Sequence, residues 1–219
     1  MPLPIPPDLF AFAVSSSLIL CYYLVLRWRT RRNRDFSVHH FNRKVREAWV
    51  EMVVKCGKMD ILAVQTLRNS MMAANFMAST SVLLIIGALN LSDKIETWTH
   101  AWQPATAFVS GAGEFSLIKL GLLLLDFFIA FYCFTMAIRF FNHVGYMINL
   151  LAGSPGADVS QAQVCAYLNR AGAYFTYGIR SFFFSLPLIL WFFGPYPLVL
   201  ATGILLLALY KLDRAPEFH

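Results

Sequence analysis

The sequence predicts an all-α integral membrane protein, a helical bundle of about five spans (four plus a short fifth) whose long helices extend into the cytoplasm. Of its 219 residues, 58% are hydrophobic and 14% are charged, whereas a soluble domain has about 45–50% and about 25%. Most of the chain lies in apolar runs near the length of about 20 residues that crosses a hydrocarbon core. This composition excludes a soluble enzyme, a disordered tail and a disulfide-rich secreted module, and we expect a single transmembrane domain.

The spans follow from the apolar runs and from one turn. Residues 174–210 would form a helix of about 55 Å, too long for a core of about 30 Å. Gly194-Pro195-Tyr196-Pro197 interrupts this run with the residues that end one helix and start the next. Pro187 should kink its span without ending it. The predicted spans are 8–26, 71–91, 115–138, 174–193 and 197–210, of which the last is short enough to be re-entrant or interfacial.

The distribution of Lys and Arg predicts the orientation. Ten of the 18 basic residues lie between Arg27 and Asp60, whereas the loop between spans two and three holds only Lys94. Basic loops stay in the cytoplasm. We therefore expect a multi-pass protein of the inner (plasma) membrane with its N-terminus outside, its C-terminus inside, and cytoplasmic segments at about 27–70 and 139–173.

The basic segment next to span one favours membrane lipids as a partner. The cytoplasmic leaflet attracts each nearby Lys or Arg by about 1 kcal/mol. No nucleic-acid motif accompanies the segment, so we expect anionic lipid and no nucleic acid as its partner.

Apolar spacing predicts helices that continue past the membrane. One stripe, at steps of four and three, consists of Val45, Trp49, Met52, Cys56, Met59 and Ala63. Span two is therefore predicted to be the outer half of a helix that starts near Asn42. Span three should continue to Leu151, and Asp158 or Ser160 can cap the helix that follows.

Polar residues within the spans form a candidate intramembrane site. Its members are Asp126, Arg180, Lys119, Tyr177 and Ser181. Charges inside a span are costly and face the protein interior. An ion pair between Asp126 and Arg180 would hold two helices together or, alternatively, couple transport to a proton or ion.

A second candidate site lies toward the inner leaflet and would bind an anion or a lipid head group. Its members are Arg68, Asn69, Arg139, Asn142 and His143. Arginine forms forked hydrogen bonds with such anions. The simpler alternative is that these arginines extend to the interface and only satisfy the charge bias of the cytoplasmic side.

The sequence contains no pattern typical of catalysis or metal binding. The five histidines and four cysteines form neither a zinc motif nor a pair close in sequence. No phosphate-binding loop or nucleophile elbow is present. We therefore expect no enzyme activity, no catalytic residue, no metal and no cofactor.

Three segments resemble one known family. They are DILAVQTLRNSMMAANFMAST from Asp60 to Thr80, Arg46-x-x-Trp49, and RFFNHVGYMIN from Arg139 to Asn149. Together they are similar to the uncharacterised bacterial and plant membrane proteins grouped as domain of unknown function 599. The resemblance implies a multi-span helical membrane protein and a role of residues 60–69 in the fold or site. It implies no activity, ligand or catalytic residue.

Two classes of function fit these observations. The first is a homo-oligomeric channel or carrier for a small ion or solute, because five thin spans enclose little space on their own. The second is a non-catalytic accessory or scaffold subunit of a larger membrane complex. A continuous polar cavity would favour transport, whereas buried and paired polar groups would favour a scaffold.

Overall fold

The computed structural model describes residues 7–32, 38–56, 60–92, 116–153 and 159–214. Six α-helices account for most of them, and a short 3₁₀ turn at Trp191–Phe193 joins the last two. The helices are α1 (Pro7–Arg32), α2 (Val38–Cys56), α3 (Asp60–Ser92), α4 (Ser116–Gly153), α5 (Gln161–Leu190) and α6 (Pro195–Asp213).

Within the described residues, five helices are long and apolar enough to cross a membrane, namely α1, α3, α4, α5 and α6. This confirms the predicted all-α membrane fold. The predicted spans fall on these five helices and on the 3₁₀ turn, except for Phe115, which lies outside the described residues. The exact limits of the spans and of the cytoplasmic segments stay predictions.

The turn between α5 and α6 has the predicted position. Gly194 adopts φ 131° and ψ 175°, a conformation that favours glycine because a Cβ would be strained there. Its N–H donates to the carbonyl of Trp191 at 3.1 Å, and Pro195 occupies the first helical position of α6. Helix α5 runs through Pro187 without ending, as predicted.

Helix α5 begins with a capping box. The Ser160 hydroxyl accepts a hydrogen bond from the Gln163 N–H at 3.3 Å. The Gln163 side chain accepts one from the Ser160 N–H at 2.9 Å, so two unpaired donors of the helix start are satisfied. Ser160 is therefore the cap, and the alternative cap, Asp158, lies outside the described residues.

The predicted long helix from Asn42 through span two is wrong. The helix that carries this span begins at Asp60, and α2 is a separate helix that ends at Cys56, next to Gly57, a residue of low helix propensity. The buried residues of α2 are Val50 and Val53, whereas Val45 and Met52 are 49% and 44% exposed. Regular spacing alone did not identify the buried face.

The described residues fold into two compact units. The first unit draws on Met1–Val38, Leu83–Phe128 and Ser181–His219. The second unit draws on His39–Val82 and Ile129–Arg180.

The second unit has a core to which four helices contribute. Val50 comes from α2, Leu67 from α3, Phe141 and Val144 from α4, and Leu168 from α5. Each is at most 7% exposed. Burial of apolar side chains stabilises such a core by about 25 cal/mol per Å².

In the first unit, α1 packs along α6. The Tyr22 hydroxyl donates to the Asp213 carboxylate at 2.6 Å. The Arg29 guanidinium donates to the Tyr210 hydroxyl at 3.0 Å. The C-terminal ends of α1 and α6 are therefore adjacent.

Candidate functional site

A buried polar cluster lies at the other end of α1, in the first unit. The Lys119 ammonium is 3.1 Å from an Asp8 carboxylate oxygen and donates to the Trp191 carbonyl at 3.3 Å. The Trp191 indole donates to the same Asp8 oxygen at 2.9 Å. Each of the three residues is 3% exposed. The Lys119 ammonium also lies 5.1 Å from the centroid of the Trp191 ring. It therefore contacts three groups from two residues: the Asp8 carboxylate, the Trp191 carbonyl and the Trp191 ring.

Helix ends favour this arrangement of charges. Asp8 lies in the first turn of α1, where the helix dipole stabilises an anion. Lys119 bonds to a carbonyl that follows the C-terminus of α5, where the dipole stabilises a cation. Phe12 stacks on the Trp191 ring at 5.0 Å between centroids and covers the cluster.

The partner of Lys119 was not apparent in the sequence pattern. Asp8 begins span one and Lys119 follows the start of span three, so both lie near the same predicted membrane face. Two opposite charges at one depth in apolar helices are the signal that could have identified the pair.

Asp126 and Ser181, two residues of the predicted intramembrane site, lie together in the first unit. The Ser181 hydroxyl donates to the Asp126 carboxyl at 2.6 Å and is 2.9 Å from the backbone carbonyl of the same residue. The other carboxyl oxygen of Asp126 is buried and has no hydrogen-bond partner among the described residues. The structure thus shows a link between α4 and α5, and the ion pair of Asp126 with Arg180 stays a prediction.

Arg180 of that site lies in the second unit and is half-buried. Tyr177, the last residue of the site, lies in the same unit. Its side chain is 56% exposed, and its ring meets the Tyr174 ring edge-on at 6.5 Å. The five predicted residues therefore divide among several local environments.

The predicted anion site is exposed as a whole. Arg68, Asn69, Arg139, Asn142 and His143 are all exposed. The His143 ring meets the Tyr167 ring edge-on at 6.1 Å. Of the five residues, Asn69 alone lines the cleft described next, and anion binding by the group stays a prediction.

The second unit contains a cleft of about 670 Å³ formed by α2, α3, α4 and α5. Its lining residues are Asn42, Val45, Arg46, Trp49, Thr66, Leu67, Asn69, Ser70, Ala73, Phe141, Leu168, Gly172, Phe175 and Thr176. Small-molecule sites have about 300–1,000 Å³ and combine apolar walls with a few polar groups. The cleft meets both criteria.

The three segments that carry the family resemblance meet at this cleft. Arg46 and Trp49 form one wall, residues 66–73 form the second, and Phe141 contributes from the third segment. Three residues of the segment 60–69, which the resemblance connects with the fold or site, line this cleft: Thr66, Leu67 and Asn69.

Arg46 supplies the charge of the cleft. Its Nε donates to the Asn169 side chain at 2.9 Å, and Asn169 in turn donates to Glu47 at 3.1 Å. Burial lowers the pKa of Arg46, Glu47 opposes this shift and Arg43 adds to it. Arginine nevertheless stays charged in proteins. The distribution of charges in the sequence placed Arg46 in the basic segment, and the family resemblance included it in Arg46-x-x-Trp49. Neither indicated a cleft, because the neighbours of Arg46 there are remote in sequence.

Among the described residues, no group of three or more His, Cys, Asp or Glu side chains could hold a metal ion. The lining residues of the cleft offer hydrogen-bonding groups, the positive charge of Arg46 and apolar side chains for contact with a ligand.

Comparison with known proteins places the chain in one family. No curated protein and no solved structure matches it. A family model described as "Protein of unknown function, DUF599" matches residues 10–218. This match covers almost the whole chain and agrees with the resemblance of its three segments. The chain therefore belongs to the DUF599 family of proteins of unknown function.

Proposed function

We propose that this membrane protein is a non-enzymatic carrier that binds a small solute in the cleft of the second unit. The observation that carries this proposal is the cleft itself, with its volume of about 670 Å³ and its mixed polar and apolar walls. Four helices contribute to the lining, so a relative movement of these helices would open or close the site. Such movements are a common means of releasing a bound ligand.

The polar groups of the first unit support a carrier over a pore. One kind of pore selects ions with rings of charged side chains that face the passing ion. Lys119, one candidate for that role, is 3% exposed and pairs with Asp8. The cleft is a better candidate for the site at which a solute is recognised.

We propose the orientation with the N-terminus outside and the C-terminus in the cytoplasm. In the first unit, the adjacent ends of α1 and α6 carry Arg29, Arg31, Arg32 and Lys211. The other end of α1 carries the neutral pair of Asp8 and Lys119. The positive-inside rule assigns the basic end to the cytoplasm, where anionic lipids are the expected partner.

We also propose that the functional form is a homo-oligomer. Five spans enclose little space, and large apolar side chains face outward on the membrane helices. Phe76 of α3 is 73% exposed and Leu207 of α6 is 69% exposed. A second copy of the chain or lipid must cover such surfaces.

The alternative is an accessory or scaffold subunit, and one surface favours it. A shallow groove between α2 and α5 has a volume of about 740 Å³. Its lining includes Arg43, Lys44, Glu47, Glu51 and Gln161. Mixed charges of this kind are typical of the polar rim of a protein interface.

Solute entry into liposomes tests the carrier. Sealed liposomes containing the purified full-length protein are exposed to a panel of solutes (acetate, phosphate, betaine, glucose and decyl phosphate), and uptake is measured. We expect saturable uptake of at least one solute, which the substitution Ala73→Phe abolishes. Ala73 lines the cleft and is exposed, so a phenyl group fills the site without disturbing a core.

The matched control is Met72→Phe, which changes an adjacent exposed residue that does not line the cleft. Absence of uptake for every solute, or equal uptake by Ala73→Phe and wild type, would contradict the carrier. Absence of uptake together with a second membrane protein purified at fixed stoichiometry would support the scaffold.

A further inference from the structure

We propose that the cleft of the second unit binds an anionic amphiphile, a molecule with a phosphate or carboxylate head group and an apolar body. This inference rests on the proposed function and specifies the ligand class of its site. Arg46 would bind the head group, and the aromatic wall of the cleft would hold the apolar body.

The charge of the cleft selects an anion. Among the described residues that line the cleft, Arg46 is the only one whose side chain carries a full charge. Its Nε is engaged with Asn169, which leaves the two terminal NH₂ groups of the guanidinium for a ligand. Arginine presents these groups as a fork that matches the oxygens of a phosphate or carboxylate.

The hydroxyl groups of the cleft are engaged within their own helices, which leaves Arg46 as the main donor for the head group. The Thr66 hydroxyl donates to the Leu62 carbonyl at 2.9 Å, and the Ser70 hydroxyl donates to the backbone carbonyl of Thr66 at 3.0 Å. Thr176 donates to the Gly172 carbonyl at 2.8 Å. A hydroxyl has one proton, so each of these three groups would give up its bond within the helix in order to donate to an anion.

Two amide side chains can assist Arg46. Asn42 and Asn69 line the cleft, and each carries an NH₂ group with two donors. Asn69 belongs to the anion site predicted from the sequence, so one residue of that prediction lies where an anion would bind.

The walls of the cleft select an apolar body. Trp49, Leu67, Phe141, Leu168 and Phe175 contribute side chains to the lining. An apolar chain placed against them would gain about 25 cal/mol for each Å² of buried surface. Inorganic phosphate would leave this surface in contact with water, and a neutral alcohol would leave Arg46 without a counter-charge.

Because Gly172 has no side chain, the Arg46 guanidinium can pack directly against the backbone of α5. A Cβ at this position would lie 2.7 Å from Nη1 of Arg46 and 2.9 Å from Cζ. Both distances are shorter than van der Waals contact, so alanine at position 172 would displace the guanidinium from the cleft wall.

An anionic amphiphile has two sources, a phospholipid of the cytoplasmic leaflet and a soluble molecule such as a fatty acid or alkyl phosphate. Both present anionic oxygens on an apolar chain. The cleft recognises this shared chemistry, and the experiment distinguishes the sources.

Binding of decyl phosphate to the purified full-length protein in a neutral maltoside detergent tests the inference. Stabilisation against thermal unfolding is measured as a function of ligand concentration, with inorganic phosphate and decanol as comparison ligands. We expect saturable stabilisation by decyl phosphate alone. Arg46→Gln should weaken binding at least about tenfold, because a hydrogen bond to a charged group contributes about 1.5–3 kcal/mol.

The matched control is Arg170→Gln, which removes the same charge from an exposed residue that does not line the cleft. We expect wild-type affinity for this variant. Ala73→Phe keeps every charge and should abolish binding, so the test does not depend on the folding of Arg46→Gln. Normal binding by Arg46→Gln, normal binding by Ala73→Phe, weaker binding by Arg170→Gln, or equal stabilisation by inorganic phosphate would each overturn the inference.

Mass spectrometry of the protein purified from its membrane distinguishes the two sources. A bound acidic phospholipid that is absent from Arg46→Gln identifies a lipid ligand. Decyl phosphate binding without a retained lipid identifies a soluble amphiphile.

Failure of the inference and failure of the carrier are separable. Binding that obeys these expectations without any uptake into liposomes would refute the carrier and retain the ligand class. Uptake of another solute that Ala73→Phe abolishes, without binding of decyl phosphate, would retain the carrier and refute the ligand class.

Discussion

Among the individual residues, Lys119 and Asp8 have the most restrictive environment. Each is 3% exposed, and the Trp191 indole shares the carboxylate. A buried ion pair contributes little net free energy, because the desolvation of both charges offsets their attraction. Removal of one partner is far more costly, since it leaves an uncompensated charge.

We predict that Lys119→Met and Asp8→Asn each lower the free energy of unfolding by about 3–5 kcal/mol. The double variant Asp8→Asn/Lys119→Met should recover most of this loss, because the Asn carbonyl can still accept from the Trp191 indole. Thermal unfolding in detergent measures both effects. The control Lys55→Met removes an exposed lysine paired with Glu51 and should cause no measurable change. Additive losses in the double variant would contradict the coupling of the two charges.

The imidazole of His39 in α2 is expected to make the free energy of unfolding depend on pH. Burial lowers the pKa of His39 below 6.5, and the nearby cations act in the same direction. These cations are Arg46, Arg180, Arg43 and His40. Because the unfolded chain takes up this proton at a higher pH than the folded chain, stability is lost as the pH falls from 6.5 through the lowered pKa.

We predict that lowering the pH from 7 to 5 costs His39→Gln less stability than it costs the wild type, because glutamine takes up no proton. Unfolding scans at several pH values measure the slope. The carboxylates Glu47 and Glu51 have pKa values lowered below 4.5, so their contribution is lost at a lower pH. An unchanged slope in His39→Gln would show that His39 is not the group responsible.

At the scale of the helices, α4 and α5 pack through aromatic rings in the second unit. Phe140 stacks on Tyr174 at 5.5 Å between centroids, and Phe134 meets Phe175 edge-on at 5.7 Å. Phe134 is fully buried. A Cβ at Gly178 would lie 2.7 Å from its ring, so this close packing requires glycine.

We predict that Gly178→Ala destabilises the protein by about 1–3 kcal/mol, the usual cost of overpacking. Gly145→Ala is the control, because a Cβ there meets nothing within 4 Å and alanine favours a helix. Phe134→Leu should partly rescue Gly178→Ala in thermal unfolding, since it removes ring atoms from the contact. Equal stability of Gly178→Ala and wild type would contradict the proposed contact.

The capping box of α5 is also a property of one element. We predict that Ser160→Ala lowers the free energy of unfolding by about 0.5–2 kcal/mol. Hydrogen exchange should accelerate at the Gln163 amide, which loses the Ser160 hydroxyl and keeps only the Ser160 carbonyl at 3.0 Å as an acceptor, whereas the amides of α6 should be unaffected. Ser160→Asp keeps an acceptor at the cap and should retain wild-type exchange.

At the scale of the whole molecule, the charge distribution has a topological consequence. Tyr196 and Leu212 lie near opposite ends of α6 and are 78% and 57% exposed. With the C-terminus in the cytoplasm, we predict that an impermeant maleimide labels Tyr196→Cys in intact cells. Leu212→Cys should be labelled only after permeabilisation, and the wild type reports the background of the native cysteines. The reverse pattern would invert the proposed orientation.

Much of the fold was predictable because its determinants are local. Length and composition predicted the membrane helices, Gly194 and Pro195 predicted the turn, and Ser160 predicted a cap. The predicted helix from Asn42 failed, because the same spacing is compatible with one long helix or with two shorter ones. A tertiary core decides which face of α2 is buried, and it selects Val50 and Val53.

The candidate sites were less predictable because their members are remote in sequence. The apolar and basic patterns establish a multi-pass helical membrane protein, since the bilayer acts on every segment separately. The pairing of Lys119 with Asp8, 111 residues away, depends on how α1, α4 and α5 pack. The cleft at Arg46 likewise exists only after four helices have assembled. Tertiary packing alone decides which charges become neutralised structural pairs and which one faces a space large enough for a ligand.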